Sequence, residues 1–232
     1  MSAGPATALA ASFTPKRLGA ATTIAVAIKI DPPRQSVPAP VTQVQVAFPS
    51  DLGLATSGLG LAECDPAALE REGEAACPAD SRVGSGAASV GVAFGPSLVD
   101  EHVTLGLFAA PSSDGFIHLA IVATGLEPID ARIVMAGVLL PGRLQISVPA
   151  IPSLPGAGDV AVLSLQATLG GALTYYEHAH GHTIAYRPRG IALPRHCPSG
   201  GWRLSAMLAF ADGSVSRART AVGCPHTRRG GG

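Results

Sequence analysis

Trp202-Arg203-Leu204-Ser205-Ala206-Met207-Leu208-Ala209-Phe210-Ala211-Asp212-Gly213 is the stretch that decides the fold class of this chain. Trp202, Leu204, Ala206, Leu208 and Phe210 alternate against Arg203 and Ser205. In an extended backbone, residues two apart point to the same face. One face of this run is therefore apolar and the other polar or small, which is how a strand half-buried in an antiparallel sheet reads. On this pattern Trp202 belongs to a core. Asp212-Gly213 joins two alternating runs and carries hairpin-turn chemistry, because glycine enters positive φ without steric cost.

The same period recurs along the chain. Ile24, Val26, Ile28 and Ile30 oppose Thr23, Ala25, Ala27 and Lys29. Val44, Val46 and Phe48 oppose Gln43 and Gln45, and Ile117, Leu119 and Ile121 alternate against His118. Leu144, Ile146 and Val148 alternate against Gln145 and Ser147. Turn residues separate these runs at Asp31-Pro32-Pro33, Pro111-Ser112-Ser113-Asp114-Gly115 and Pro141-Gly142. Roughly a dozen strands result. One segment reads as helix, with Asp65 as N-cap, Pro66 at the first helical position and Gly73 at the end. The expectation is an all-β, antiparallel β-sandwich with one short helix near Asp65, built as one extended sandwich or two immunoglobulin-like ones. A seam near Ala110–Gly115 divides it into halves 6–110 and 115–225, followed by a disordered tail over 226–232. Neither half has Cys…Trp…Cys spacing, so true immunoglobulin kinship is not expected.

Composition narrows the class further. Apolar residues make up 47% of the 232, enough for a real core, while charged residues are only 14% against the usual quarter. The 28 Gly and 20 Pro punctuate short elements rather than signal disorder, since hydrophobicity is healthy and net charge is zero. Neutrality argues against nucleic acid as a partner, because phosphate binding needs a clustered basic surplus. Arg217, Arg219, Arg228 and Arg229 read as a solvated edge. Lysine occurs only as Lys16 and Lys29 and asparagine is absent, a bias of GC-rich coding that also leaves no N-glycosylation sequon. No window approaches the ~18 apolar residues of a membrane span.

The 4 cysteines stand at 64, 77, 197 and 224, without the C-x-x-C spacing of zinc knuckles or redox motifs. Four cysteines allow three connectivities. Locality favours Cys64–Cys77 and Cys197–Cys224, and disulfides persist in oxidising compartments. On that reading the chain is a mature exported segment bearing an added Met1, since residues 1–5 lack a basic region and an apolar stretch. The closing Arg-Arg-Gly-Gly-Gly reads as a linker or a truncation scar.

Several stretches carry a resemblance. They are Ala11-Ser12-Phe13-Thr14-Pro15-Lys16-Arg17-Leu18-Gly19-Ala20, Phe48-Pro49 with Asp51-Leu52-Gly53-Leu54-Ala55, and Cys64-Asp65-Pro66-Ala67-Ala68-Leu69. The run Cys77-Pro78-Ala79-Asp80-Ser81-Arg82-Val83-Gly84-Ser85-Gly86 follows, then Leu173-Thr174-Tyr175-Tyr176-Glu177-His178 and Ala185-Tyr186-Arg187-Pro188-Arg189-Gly190. Together they resemble a group of secreted, β-rich proteins of high-GC Gram-positive bacteria. The resemblance implies export and two disulfides, and it carries over no catalytic residue.

For chemistry, the densest stretch is Tyr175-Tyr176-Glu177-His178-Ala179-His180-Gly181-His182. On one strand His178, His180 and His182 share a face, and neighbours i and i+2 lie about 6–7 Å apart, close enough to chelate one Zn or Cu ion. His178 and His182 are roughly 13 Å apart on the same geometry, too far to share an ion unless Gly181 makes a bulge or turn. Glu101, His102, Asp114 and His118 are candidate additional ligands. The bland reading is a polar strand beside Tyr175, Tyr176 and Tyr186, which form a candidate contact patch for protein or glycan. No G-x-S-x-G elbow, phosphate loop or paired carboxylates stand out, and Gly84-Ser85-Gly86 reads as a strand glycine pair or bulge. The expected function is a secreted or cell-surface structural or binding module rather than an enzyme. It needs no cofactor, and its partner is a protein or glycan of the cell envelope. The alternative is a metal-binding protein or metal-dependent enzyme using the histidine cluster.

Overall fold

A computed structural model describes residues 4–31, 38–54, 62–94, 97–125, 130–149, 160–170, 175–179, 181–186 and 190–225. The alternating runs form strands. The first five are β1 (Ala6–Thr14), β2 (Ala21–Asp31), β3 (Val41–Ala47), β4 (Gly53–Leu54) and β5 (Arg82–Phe94). Next come β6 (Ser97–Ala110), β7 (Ile117–Gly125), β8 (Ala131–Leu140), β9 (Arg143–Ser147) and β10 (Val160–Leu169). The last are β11 (Tyr175–Ala179), β12 (His182–Tyr186), β13 (Ile191–Ala192), β14 (Trp202–Phe210) and β15 (Val215–Val222). The helix expected after Asp65 is α1 (Pro66–Glu72): the Asp65 carboxylate accepts from Ala67 N–H, Pro66 opens the first turn, and Gly73 ends the helix at φ 84°.

Thirteen strands form one sheet, all antiparallel, and β11–β12 stand apart as a two-stranded hairpin. The order around the sheet is β1–β2–β10–β5–β6–β7–β8–β9–β3–β14–β15. The ends then approach each other: Gly4 N–H donates to the Val215 carbonyl at 3.0 Å, and the Ser216 hydroxyl donates to the Pro5 carbonyl. The sheet is therefore a nearly closed barrel, which corrects the expected sandwich. Strands of 6–110 pair directly with strands of 115–225, as in β2–β10, β3–β9, β3–β14 and β5–β10. Period-two patterning says which face of a strand is apolar. It is silent on whether that face meets a second sheet or curls to face itself.

The inner face is the core. Along β14 all five alternating residues are buried, with Trp202 fully so and in edge-to-face contact with Phe13, their ring centroids 5.5 Å apart. The β14–β15 hairpin closes where expected, with Gly213 at φ 78° and Asp212 accepting from Ser214 N–H at 2.9 Å. On β5 a register shift lies between Arg82 and Gly84. A Cβ on Gly84 or Gly86 would run into the carbonyls of Thr168 and Gln166 on β10, so only glycine permits this close approach.

One end of the barrel is sealed. The short strand β13 pairs with β2 on one side and β4 on the other, and Leu52, Ile191 and Leu193 are buried there. Outside the barrel, α1 buries Leu69 with Phe108, Ala110, Ala120 and Val122, which are outward residues of β6 and β7. Arg132 Nη1 reaches the Glu70 and Arg71 carbonyls at 3.3 and 3.4 Å, satisfying the helix C-terminus. The pairs Cys64–Cys77 and Cys197–Cys224 are at disulfide-bonding distance, with Cα separations of 5.0 and 5.8 Å. Loops of 13 and 27 residues closed this way contribute roughly 3 and 3.5 kcal/mol in the chain-entropy picture. No helix of the described residues is long and apolar enough to cross a membrane.

Candidate functional site

The barrel is not filled. A cavity of about 200 Å³ runs through it, lined by inward residues from β2, β3 and β5 to β10. At the sealed end its wall includes Leu52, Leu169 and Ile191. At the other end it includes Gly125 and Ala131 at the facing ends of β7 and β8, Val148 just past β9, and Val160 at the start of β10. Small inward residues open the space: Ala88, Ala123, Gly125, Ala131 and Ala167 line it beside larger Met135, Leu144 and Ile146. Those larger residues are only half-buried, although they face inward, because the space before them is empty. An apolar cavity of roughly 150 Å³ can stay dry and take up a molecule the size of benzene, so this one has room for an apolar guest.

Among the described lining residues Glu101 alone carries a charge. It pairs with Val90 on β5, which in turn pairs with Val162 on β10, and it is 3% exposed. It therefore sits near the start of β10, beyond the last β6–β7 pair toward this end, Thr104–Thr124. The lining described offers no His, Ser, Cys or Lys. Chemically the described lining can bury apolar surface and present one carboxylate.

The histidines lie elsewhere. β11 and β12 pair antiparallel, with Ala179 opposite His182 and His178 opposite Thr183. Cross-strand partners share a face, so His178 and His182 lie on opposite strands and opposite faces of the hairpin. His178 and His182 thus stand on different strands, the chain taking the turn at Gly181 that the sequence left open. The chain reverses around Gly181, at φ 78°, while His180 itself lies outside the described residues. His178 Nδ1 is 3.0 Å from the Thr183 hydroxyl, and both His178 and His182 are exposed. The tyrosines divide similarly: Tyr175 pairs with Tyr186, while Tyr176 pairs with Ala185 on the opposite face and is 67% exposed.

The candidate additional ligands are dispersed. Glu101 faces the cavity, and His102 projects outward from the next position on β6. Asp114 and His118 meet in the β6–β7 loop, with Nε2 at 3.0 Å from both carboxylate oxygens. Asp114 also accepts the Phe116 N–H at 3.0 Å, and that bond, followed by the His118 contact, holds its carboxyl below the usual aspartate value of 3.8. The Ser112 hydroxyl faces Asp114 and the Phe116 carbonyl, at 3.1 and 2.6 Å. The carboxylate thus knits a turn. Among the described residues no group of three or more His, Cys, Asp or Glu could hold a metal ion.

Glu101 was legible as more than a candidate ligand. Val99, Val103, Leu105 and Leu107 share its phase on β6, so an acid stands where the alternation calls for an apolar residue. No family model, curated protein or solved structure matches this chain.

Proposed function

We propose that this protein is an exported binding module that holds a small apolar molecule, or the apolar chain of an amphiphile, inside its barrel. The observation that carries the reading is the cavity of about 200 Å³ with an apolar wall, enclosed by a sheet that nearly meets itself. The surrounding wall removes a guest's apolar surface from water, and each methylene so buried contributes about 0.8 kcal/mol. Export is supported by the two cysteine pairs at bonding distance, since such bonds persist in oxidising surroundings. A second line of support is economy: filling the space with larger side chains would add packing contacts, and the small residues at positions 88, 123, 131 and 167 forgo them.

The test is titration with phenylnaphthylamine, a neutral fluorophore that brightens in apolar surroundings. Saturable, one-to-one binding is expected, with native mass spectrometry showing the same stoichiometry. Absence of saturable binding would overturn the proposal.

A further inference from the structure

We infer that the guest is an aromatic ring carrying one short, unbranched alkyl chain, with the ring beside Gly125 and Ala131 and the chain pointing toward the sealed end. The inference rests on the cavity being a binding site, and it gives the guest of that site a shape and a direction. Its basis is a taper in the lining. From the sealed end outward, β7 presents Ile121, Ala123 and Gly125, and β8 presents Leu139, Met135, Ile133 and Ala131. The line of β9 runs Leu144, Ile146, Val148, and that of β6 runs Leu107, Leu105, Val103. The line of β3 runs Phe48, Val46, Val44, Val41 in the same direction. These strands are neighbours in the order β6–β7–β8–β9–β3, so the taper belongs to one continuous wall.

Backbone radius in a barrel is set by strand number and stagger, so shrinking side chains along its length widen the space between them. The widest part lies where Gly125 pairs with Ala131, and the narrow part lies toward Leu52, Leu169 and Ile191. Ala167 departs from the large residues at the narrow end: it stands between Leu165 and Leu169 on β10, opposite Val26, and leaves passage for a chain. A benzene-sized ring takes a site of about 150 Å³, and the cavity of about 200 Å³ leaves the remainder for a chain of a few carbons. A rigid ring fills the wide end without freezing rotatable bonds, a cost that a flexible chain coiled there would bear.

Calorimetric titration with para-butylphenol, para-tert-butylphenol and para-ethylphenol tests this. The two butyl isomers have equal composition, so a difference between them reports shape. In the wild type, para-butylphenol is expected to bind about tenfold more tightly than either of the others, since each methylene that reaches the narrow end is worth about fourfold. Ala167→Leu blocks the chain's path, so it should bring para-butylphenol to within about threefold of para-ethylphenol while changing para-ethylphenol by less than about twofold. Ala131→Leu occupies the ring's place and should weaken para-butylphenol and para-ethylphenol alike, by about tenfold. Equal or tighter binding of the tert-butyl isomer in the wild type would overturn the shape. Weakening of both ligands by Ala167→Leu, or of para-butylphenol alone by Ala131→Leu, would overturn the direction. Far-UV circular dichroism checks that each variant folds, and if one does not, the isomer comparison in the wild type still decides the shape. Saturable phenylnaphthylamine binding with no phenol bound would overturn the inference and leave the cavity reading intact. Failure of phenylnaphthylamine itself to bind is a different outcome and removes the cavity reading altogether.

Discussion

The wall formed by β1, β14 and β15 and the cavity-lining side, to which β8, β9 and the more distant β10 contribute, face the same interior but are built on different principles. On the first, Phe13, Trp202, Leu204, Leu208 and Phe210 are each no more than 4% exposed, and Trp202 meets Phe13 edge to face. On the second, Met135, Leu144, Ile146, Val162 and Leu165 point inward and remain half-buried, because the cavity lies in front of them. Both walls have the same alternation, so hydrophobic phase alone does not make a packed core. Side-chain volume relative to barrel radius does. One wall supplies stability, and the other leaves room for a guest.

The sharpest way to break this contrast is truncation on each side. Trp202→Ala should destabilise the fold by about 3–5 kcal/mol, the range for a large aromatic removed from a close-packed site. Ile146→Ala on the cavity wall should cost only about 1–2 kcal/mol, since the deleted atoms already face empty space and gave up few contacts. Urea denaturation followed by far-UV circular dichroism measures both. Equal costs would show that the two walls are packed alike.

Filling the hollow side sharpens the contrast from the other direction. Ala123→Leu places new methylenes in the cavity and should raise stability by up to about 1 kcal/mol while abolishing phenylnaphthylamine binding. Destabilisation together with undiminished binding would place the fluorophore somewhere else.

The smallest effect concerns the β6–β7 loop, which belongs to neither wall. Because the Asp114 carboxyl is held below 3.8 in the folded protein, its contribution is complete above the unfolded value and is lost as pH falls through the folded one. Its hydrogen bonds should therefore persist through the usual aspartate range and fail only below it, with the Phe116 amide shift reporting the change in an NMR titration. Asp114→Asn should remove that low-pH step and leave binding in the barrel unchanged. A midpoint at or above 3.8 would contradict the bonding described here.

Much of this was readable along the chain. Alternation named the inward residues of β2, β7 and β14, Asp212-Gly213 marked its hairpin, and Asp65-Pro66 with Gly73 bracketed α1. Each of these is local, set by side-chain chirality, glycine's access to positive φ and proline's missing N–H. In the histidine stretch the period of two continues across a reversal, at the Gly181 turn that the sequence left open. Ala179 and His182 face each other over the turn at Gly181, which a strand reading passes straight through.

What the sequence by itself determined is therefore the phase of each strand and the place of each turn. Tertiary structure alone decided that β1 and β15 come together, that β4 and β13 seal one end, and that a space remains between the walls. The reason is geometric. Phase is a property of neighbours in the chain, whereas the radius of a curled sheet depends on how many strands join it and in what order. That radius turns a row of small residues and one misplaced acid, Glu101, into a lined cavity.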